Sequence, residues 1–239
     1  MTKVSITMAT YHGAEYLKKI SIPSILNQTL QDWNLHIVGE GTTPDTEDVV
    51  HSFNDPRITY FNMIRPDYSK VCNNPEDRTK GGQFWNIGGV FALNESLKFC
   101  QGEYIAHVDQ DDYWTPTHLE KMVQKLDSDD SKHFVYSSVV RFYQDKYIDT
   151  YDQDVDTHYL LNTGNYIFHS SVMYRASKFG HLSYSTDSSI PTDYNLFRSM
   201  AKLEPNGFCH LKDKTTFYLE RCGVGFCENI INNKEQFIK

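Results

Sequence analysis

The chain has 239 residues, 39% hydrophobic and 14% aromatic, with 31 acidic against 23 basic side chains and a net charge of -8. That length and apolar content supply one sizeable core, which implies a single domain over residues 1–239. The acidic balance lacks the positive field that nucleic acid or an anionic membrane surface attracts, so any phosphate it binds belongs to a small ligand held locally.

No apolar run reaches the length of a leader core or a membrane span, and a cytoplasmic protein with no integral membrane segment is expected. Nothing in the composition opposes a homo-oligomer. Cys72, Cys100, Cys209, Cys222 and Cys227 form an odd, sparse set, which implies reduced thiols and no disulfide framework. Cys209, His210, Cys222 and Cys227 lack the paired CxxC spacing of a zinc site.

In chain order, VSITM (residues 4 to 8) alternates as a strand does and stops at Ala9-Thr10-Tyr11-His12-Gly13. Leu17, Ile20, Ile25 and Leu26 suit a helix from Ala14 to Leu30, with Pro23 kinking it or beginning a second piece. LHIV (35 to 38) predicts a strand ending in the turn-rich stretch Gly39 to Asp45, and ITYF (58 to 61) a third strand before a long polar loop. Phe84, Ile87, Phe91 and Leu97 mark a helix interrupted at Gly88-Gly89. YIAHV follows as a strand, and Thr115 is expected to cap a helix with Pro116 at its first position.

FVYSSVV (134 to 140) and NYIFHSSVMY (165 to 174) predict strands, with His169 a sheet residue. Between them Asp145, Asp149, Asp152, Asp154 and Asp156 suggest a solvated loop. Residues 190 to 203 suit a helix with Asp193 in its first turn and Leu196, Phe197, Met200 and Leu203 facing inward. Alternating strands and helices imply an α/β fold with a mostly parallel sheet, in which ligands bind beyond the carboxyl ends of the strands. The loops at Tyr11, Glu40 and Asp109 then converge.

The stretch HVDQDDYWTP (107 to 116) places Asp109, Asp111 and Asp112 within four positions directly after an apolar strand. Like charges crowded this way need a cation, donors or bulk water. A calcium-binding EF-hand loop is excluded because bulky Trp114 stands where its glycine belongs, and a strand precedes it. Favourable contact with a following helix dipole accounts for one carboxylate, not three. A site for Mg²⁺ or Mn²⁺, with open positions for phosphate oxygens, accounts for the set.

The GEYI segment at 102 to 105 followed by Asp109-Gln110-Asp111-Asp112 resembles the signature of family 2 glycosyltransferases with the GT-A fold. VSITMATYHGAEYLKKISIPSILNQTLQDWNLHIV resembles that family's opening strand, nucleotide-contacting loop, helix and second strand, in the same order. The resemblance implies a Rossmann-like sheet, a nucleotide-binding half at 1–115 and an acceptor and catalytic-base half at 116–239. It implies an inverting, metal-dependent transfer of a sugar from a nucleotide sugar, UDP-linked as first expectation, to a hydroxyl of a carbohydrate or glycan acceptor. A GT-A-like domain that binds nucleotide or carbohydrate without turnover also fits. Nucleotidyl transfer fits less well, since no Gly-rich basic loop follows the first strand.

Carried over by position, Tyr11 stacks on the base beside Thr10, and Glu40 accepts a hydrogen bond from it. Here Val38-Gly39-Glu40 replaces the family's paired aspartates. Asn86 matches a donor-site asparagine whose neighbouring arginine is missing, and Arg78 or Lys80 is expected to replace that cation. Asp111 is the direct metal ligand, and Asp109 a ligand through water or a ribose contact. The resemblance implies that Asp112 supports the donor sugar and that Gln110 belongs to the donor-binding set. Asp193 is the catalytic base, with Thr192 in place of the usual glutamate. FYLERCGVGF (217 to 226) resembles a flap closing over the diphosphate, in which Arg221 survives and the histidine does not.

Overall fold

The computed structural model describes residues 2–75 and 82–238. Strand β1 (Val4–Thr10) feeds a helical stretch in three pieces: α1 (Ala14–Tyr16), a π turn (Leu17–Ser21) and α2 (Ile22–Leu26). Strand β2 (Trp33–Glu40), helix α3 (Pro44–Ser52) and strand β3 (Ile58–Met63) follow. After a short 3₁₀ turn come α4 (Gln83–Ile87), α5 (Val90–Leu97), β4 (Tyr104–His107), β5 (Tyr113–Trp114) and α6 (His118–Asp127). The remainder comprises β6 (Phe134–Tyr143), β7 (Lys146–Tyr151), α7 (Thr157–Asn162), β8 (Val172–Arg175), α8 (Ala176–Phe179), α9 (Thr192–Leu203), β9 (Phe208–Glu220), α10 (Val224–Asn232) and α11 (Glu235–Ile238).

The sheet runs β3-β2-β1-β4-β8-β6-β9-β5, with β7 beside β6. Pairings from β3 to β4 and between β6 and β9 are parallel, whereas β8 runs antiparallel to both its neighbours. The carboxyl ends of β1, β2, β3 and β4 therefore share one edge, where the chain has to reverse and side chains converge. Both faces are covered, as parallel strands require. Val4, Ile6, Met8, Leu35, Tyr104 and Ala106 pack with Leu17, Ile25, Leu119 and Met122 on one side. Ile105, Phe134, Tyr136 and Tyr174 pack with Ile87, Leu93, Leu196 and Phe197 on the other. No helix among the described residues is long and apolar enough to cross a membrane.

Several elements depart from the pattern in the sequence. Pro23 has no amide proton for the carbonyl a turn before it, so the helix widens there and Ile22 N–H bonds the more distant Leu17 carbonyl. The helix stops at Leu26, not Leu30, because Asn27 leaves helical geometry. Helix α6 begins two residues after Pro116, and Thr117, not Thr115, precedes it with no side-chain cap. Its cap comes from Gln28, whose Oε1 accepts the Leu119 amide at 3.0 Å while Nε2 donates to the carbonyls of Ser24 and Thr115 at 3.0 and 2.9 Å.

The strand expected over 165–174 shrinks to β8, preceded by a 3₁₀ turn at His169–Ser171. The aspartate-rich stretch is ordered by specific partners. Asp149 on β7 pairs Arg141, Asp152 accepts from Ser138 at 2.8 Å, and Asp156 caps α7 through the Tyr159 amide at 2.8 Å. Leu203 is 54% exposed because it ends α9. Residues 217–226 form no separate flap: Phe217 and Leu219 are buried at the end of β9, and the rest turns into α10.

Gln28 is 1% exposed with all three of its bonds internal. Truncating it strands the Leu119 amide and the Ser24 carbonyl, each costing about 1–3 kcal/mol when unsatisfied, while the Thr115 carbonyl keeps the His118 amide. Gln28→Ala should lower unfolding stability by about 2–4 kcal/mol with an unchanged urea m-value, and a loss under ~0.5 kcal/mol would show that water replaces the side chain.

Candidate active site

Two clefts open at the carboxyl edge of the sheet and share Gly88, Leu93 and Asp109. The first, about 340 Å³, is lined by Ala9, Thr10, Tyr11, Glu40, Arg65, Phe84, Gln110 and Asp111 in addition to the shared residues. Its floor is fixed by Gln110, whose Oε1 accepts from the Thr10 hydroxyl at 2.7 Å and the Tyr11 amide at 3.0 Å. A Cβ on Gly13 would stand 2.0 Å from that oxygen, so the turn after β1 admits glycine alone without moving Gln110. Thr10 and Gln110 therefore shape the loop that presents Tyr11.

Glu40 is 3% exposed, and its carboxylate is already engaged. The Tyr68 hydroxyl donates to it at 2.7 and 2.9 Å, and the Ala92 amide in the first turn of α5 at 3.1 Å. An anion at that end of a helix is favoured by the exposed amides and the dipole. Glu40 thus caps α5 while also lining the first cleft. Gly89, at φ +81, opens that helix, and its amide donates to Tyr68 at 3.0 Å. Positive charge enters through Arg65, which the sequence reading missed. Its guanidinium lies 4.1 Å from the Tyr11 ring centroid and within 6 Å of Tyr68 and Phe84. Its position just past β3, on the same edge as Tyr11 and Asp109, was the available signal. Arg78 and Lys80 lie outside the described residues.

The three aspartates after β4 diverge. Asp112 is 1% exposed and turns inward, where Oδ2 accepts from the Ser170 hydroxyl at 2.5 Å and Oδ1 from the Leu219 amide at 2.9 Å. Burial, and the charges of Asp111 and Asp109 beside it, hold its pKa well above the carboxylate range. Asp112 thus fastens β9 and Ser170 to the acidic turn and lines neither cleft. Asp109 lines both clefts, and its Oδ1 accepts from His169 Nδ1 at 2.8 Å. Asp111 is half-buried in the first cleft, and no other described residue donates to its carboxylate. Burial first, then Asp109 and Glu220, push its pKa up to about 7.

The second cleft, about 500 Å³, takes residues from both ends of the chain: Trp85, Asn86, Arg141, Tyr151, Tyr166, Phe168, His169, Asp193, Tyr218 and Glu220 among them. Aromatic rings form its walls, with the Arg141 guanidinium 5.2 and 5.5 Å from the Tyr151 and Phe168 centroids. Asp193 sits in the first turn of α9 as the sequence indicated, and its Oδ1 accepts the Tyr194 amide at 2.7 Å. Burial raises its pKa against the lowering pull of His169. Asn86 Nδ2 donates to the Ser188 carbonyl at 2.9 Å, and its buried Oδ1 lacks a described partner.

His169 is not a sheet residue; it lies in the 3₁₀ turn before β8 and joins Asp109 and Asp193 in this cleft. Arg221 stands exposed with φ +56 after β9 and lines neither cleft. The aromatic wall escaped the sequence reading because its members come from β7, β9 and an irregular loop with no shared period.

Residues 84–186 match the family model described as Glycosyl transferase family 2. The chain is 30% identical over 123 residues to the Escherichia coli UDP-Glc:alpha-D-GlcNAc-diphosphoundecaprenol beta-1,3-glucosyltransferase WfgD, covering 52% of this chain and 40% of that protein. It spans only 29% to 46% of the length of the first curated relatives it matches. Residues 1-349 of S. aureus TarS in complex with UDP-GlcNAc superpose with a TM-score of 0.69 at 14% identity, over 92% of this chain and 59% of that one. The mannosyltransferase PcManGT from Pyrobaculum calidifontis, in complex with GDP-Man and Mn2+, gives 0.58 at 16% identity, over 87% and 56%. With its α/β sheet and the acidic turn at the carboxyl edge, the chain carries the GT-A fold, and its residues 84–186 are similar to glycosyl transferase family 2.

Proposed function

We propose that this chain transfers a sugar from a nucleoside diphosphate donor, UDP-linked, to a hydroxyl of a carbohydrate acceptor, with inversion at the anomeric carbon. The observation that carries the reading is Asp109, which lines both clefts: one holds Tyr11, Arg65 and Asp111, the other Asp193 within an aromatic wall. A donor in the first cleft and an acceptor in the second would meet there. All described residues lining the first cleft fall within 1–115, whereas the second draws on both halves, in keeping with one domain made of a donor half and an acceptor half. The UDP assignment rests on WfgD and TarS, whose names and ligands carry UDP.

Among the described residues no three His, Cys, Asp or Glu side chains form a closed metal cage. An open site suits a cation that takes its remaining ligands from diphosphate and water. Asp111 fits that role, because its half-buried carboxylate has no donor from another described residue and is crowded by Asp109 and Glu220. PcManGT is described with Mn2+. When bound, a divalent cation neutralises charge developing on the departing nucleoside diphosphate. Tyr11 offers a ring for the base, and Arg65 positive charge in the same cleft. Asp193 removes the proton of the acceptor hydroxyl as its oxygen attacks the anomeric carbon opposite the diphosphate. Its raised pKa brings a carboxylate base closer to the operating pH. The aromatic wall offers flat apolar faces to acceptor rings.

Asp193→Asn should lower kcat by about 10²- to 10⁴-fold and leave donor affinity unchanged in calorimetry. A wild type that binds nucleotide sugar and turns over none would instead indicate a binding domain.

Asp111 gives a test without turnover. Its folded-state pKa exceeds the unfolded value of about 3.9, so the folded chain binds that proton more tightly and loses stability as pH rises from about 4 through about 7. Without metal, Asp111→Asn should melt higher than wild type above pH 7, the gap closing towards pH 4. Mn²⁺ should raise the melting temperature of wild type alone. Parallel pH curves and equal responses to Mn²⁺ would remove Asp111 from the metal site.

A further inference from the structure

We propose that His169 is a positioning residue for the transfer, fixing the carboxylate of Asp109 where the two clefts meet; this role rests on the glycosyltransferase reading above. Asp109 is 39% exposed at its side chain, and left to itself such a carboxylate samples several rotamers. His169 Nδ1 lies 2.8 Å from Asp109 Oδ1, and no described residue hydrogen-bonds Oδ2, which leaves that oxygen to a ligand. The Ser170 hydroxyl accepts the Asp109 amide at 2.9 Å, so backbone and side chain are held by adjacent residues of one turn.

The imidazole is itself immobilised. Its Nε2 meets the Tyr184 hydroxyl at 2.7 Å, and its face stacks on His107 with centroids 4.9 Å apart and planes at 16°. Tyr184 is clamped to α5 by reciprocal backbone bonds with Asn94, at 2.8 and 2.9 Å, and its hydroxyl lies 3.1 Å from His107 Nδ1. His107 meets Thr7 at 2.5 Å and Tyr174 at 3.2 Å, and is fully buried. The ionised carboxylate can only accept, which places a proton on His169 Nδ1. In the neutral ring Nε2 then takes the Tyr184 proton, and each donor in the chain points towards Asp109. Rotating the ring breaks both of its hydrogen bonds, the one to Tyr184 fully buried, so the network transmits the rigidity of β1, β4 and α5 to one carboxylate oxygen. Reactions that join two bound substrates depend on such placement.

The role is tested by kinetics on His169→Ala, His169→Asn, His169→Gln, Asp109→Asn and the His169→Ala/Asp109→Asn double variant, with melting temperatures alongside. His169→Ala should lower kcat roughly 10- to 100-fold with little change in donor KM. Asparagine puts an amide nitrogen where Nδ1 stood and should recover most of that loss, whereas glutamine reaches towards Tyr184 and should not. In the Asp109→Asn background, removing His169 should cost nothing further. Equal recovery by asparagine and glutamine, or losses that multiply in the double variant, would overturn the role. If His169→Ala does not fold, the asparagine and glutamine pair decides. A wild type without turnover of nucleotide sugar overturns the glycosyltransferase reading and this role with it, whereas wild-type turnover with multiplying losses removes the role alone.

Discussion

Repulsion among Asp109, Asp111 and Asp112 is the constraint on which the rest of the site depends. Three carboxylates on one tight turn at the end of a buried strand cannot share an environment, and the surrounding chain gives each a different one. Asp112 is drawn inward to the Ser170 hydroxyl and the Leu219 amide. Asp109 is held sideways by His169. Asp111 remains in the cleft, crowded and without a donor from another described residue. Because those partners come from the turn before β8 and from β9, the acidic turn of the first half is set only when the second half folds against it.

The same economy runs through the first cleft. Glu40 caps α5 and orients Tyr68, while Gln110 pins the turn that carries Tyr11. Side chains with the look of ligand contacts thus also act as fasteners, lining the cleft together with Tyr11, Arg65, Asp109 and Asp111. The second cleft differs in kind, with its aromatic walls and, beside Asp109 and Glu220, the half-buried Asp193 carboxylate at the head of α9. Polar placement on one side and flat apolar surface on the other suit the charged donor and ring-shaped acceptor proposed above.

Much of this was legible in the sequence. Val4, Ile6 and Met8 alternate, Leu119, Met122, Val123 and Leu126 share a helical face, and the acidic turn follows its strand directly, so β1, α6 and the convergent edge could be inferred from period alone. What resisted were features set by distant partners. Helix α3 has little apolar periodicity in Pro44–Ser52, and β7 hides among aspartates whose partners, Arg141 and Ser138, lie on another strand. The start of α6 is fixed by Gln28, about ninety positions away. The inward turn of Asp112, the engagement of Glu40 and the seat of His169 beside Asp109 depend likewise on contacts that no local pattern encodes.

The reading proposed for the acidic turn is a donor diphosphate site completed by a cation. Calorimetric titration of UDP, with and without Mn²⁺, into wild type and Asp111→Asn tests it most directly. Wild type should bind UDP only with Mn²⁺ present, and the variant should lose that binding. Binding that ignores both the metal and Asp111 would contradict it, leaving the aspartates as structural elements of the fold.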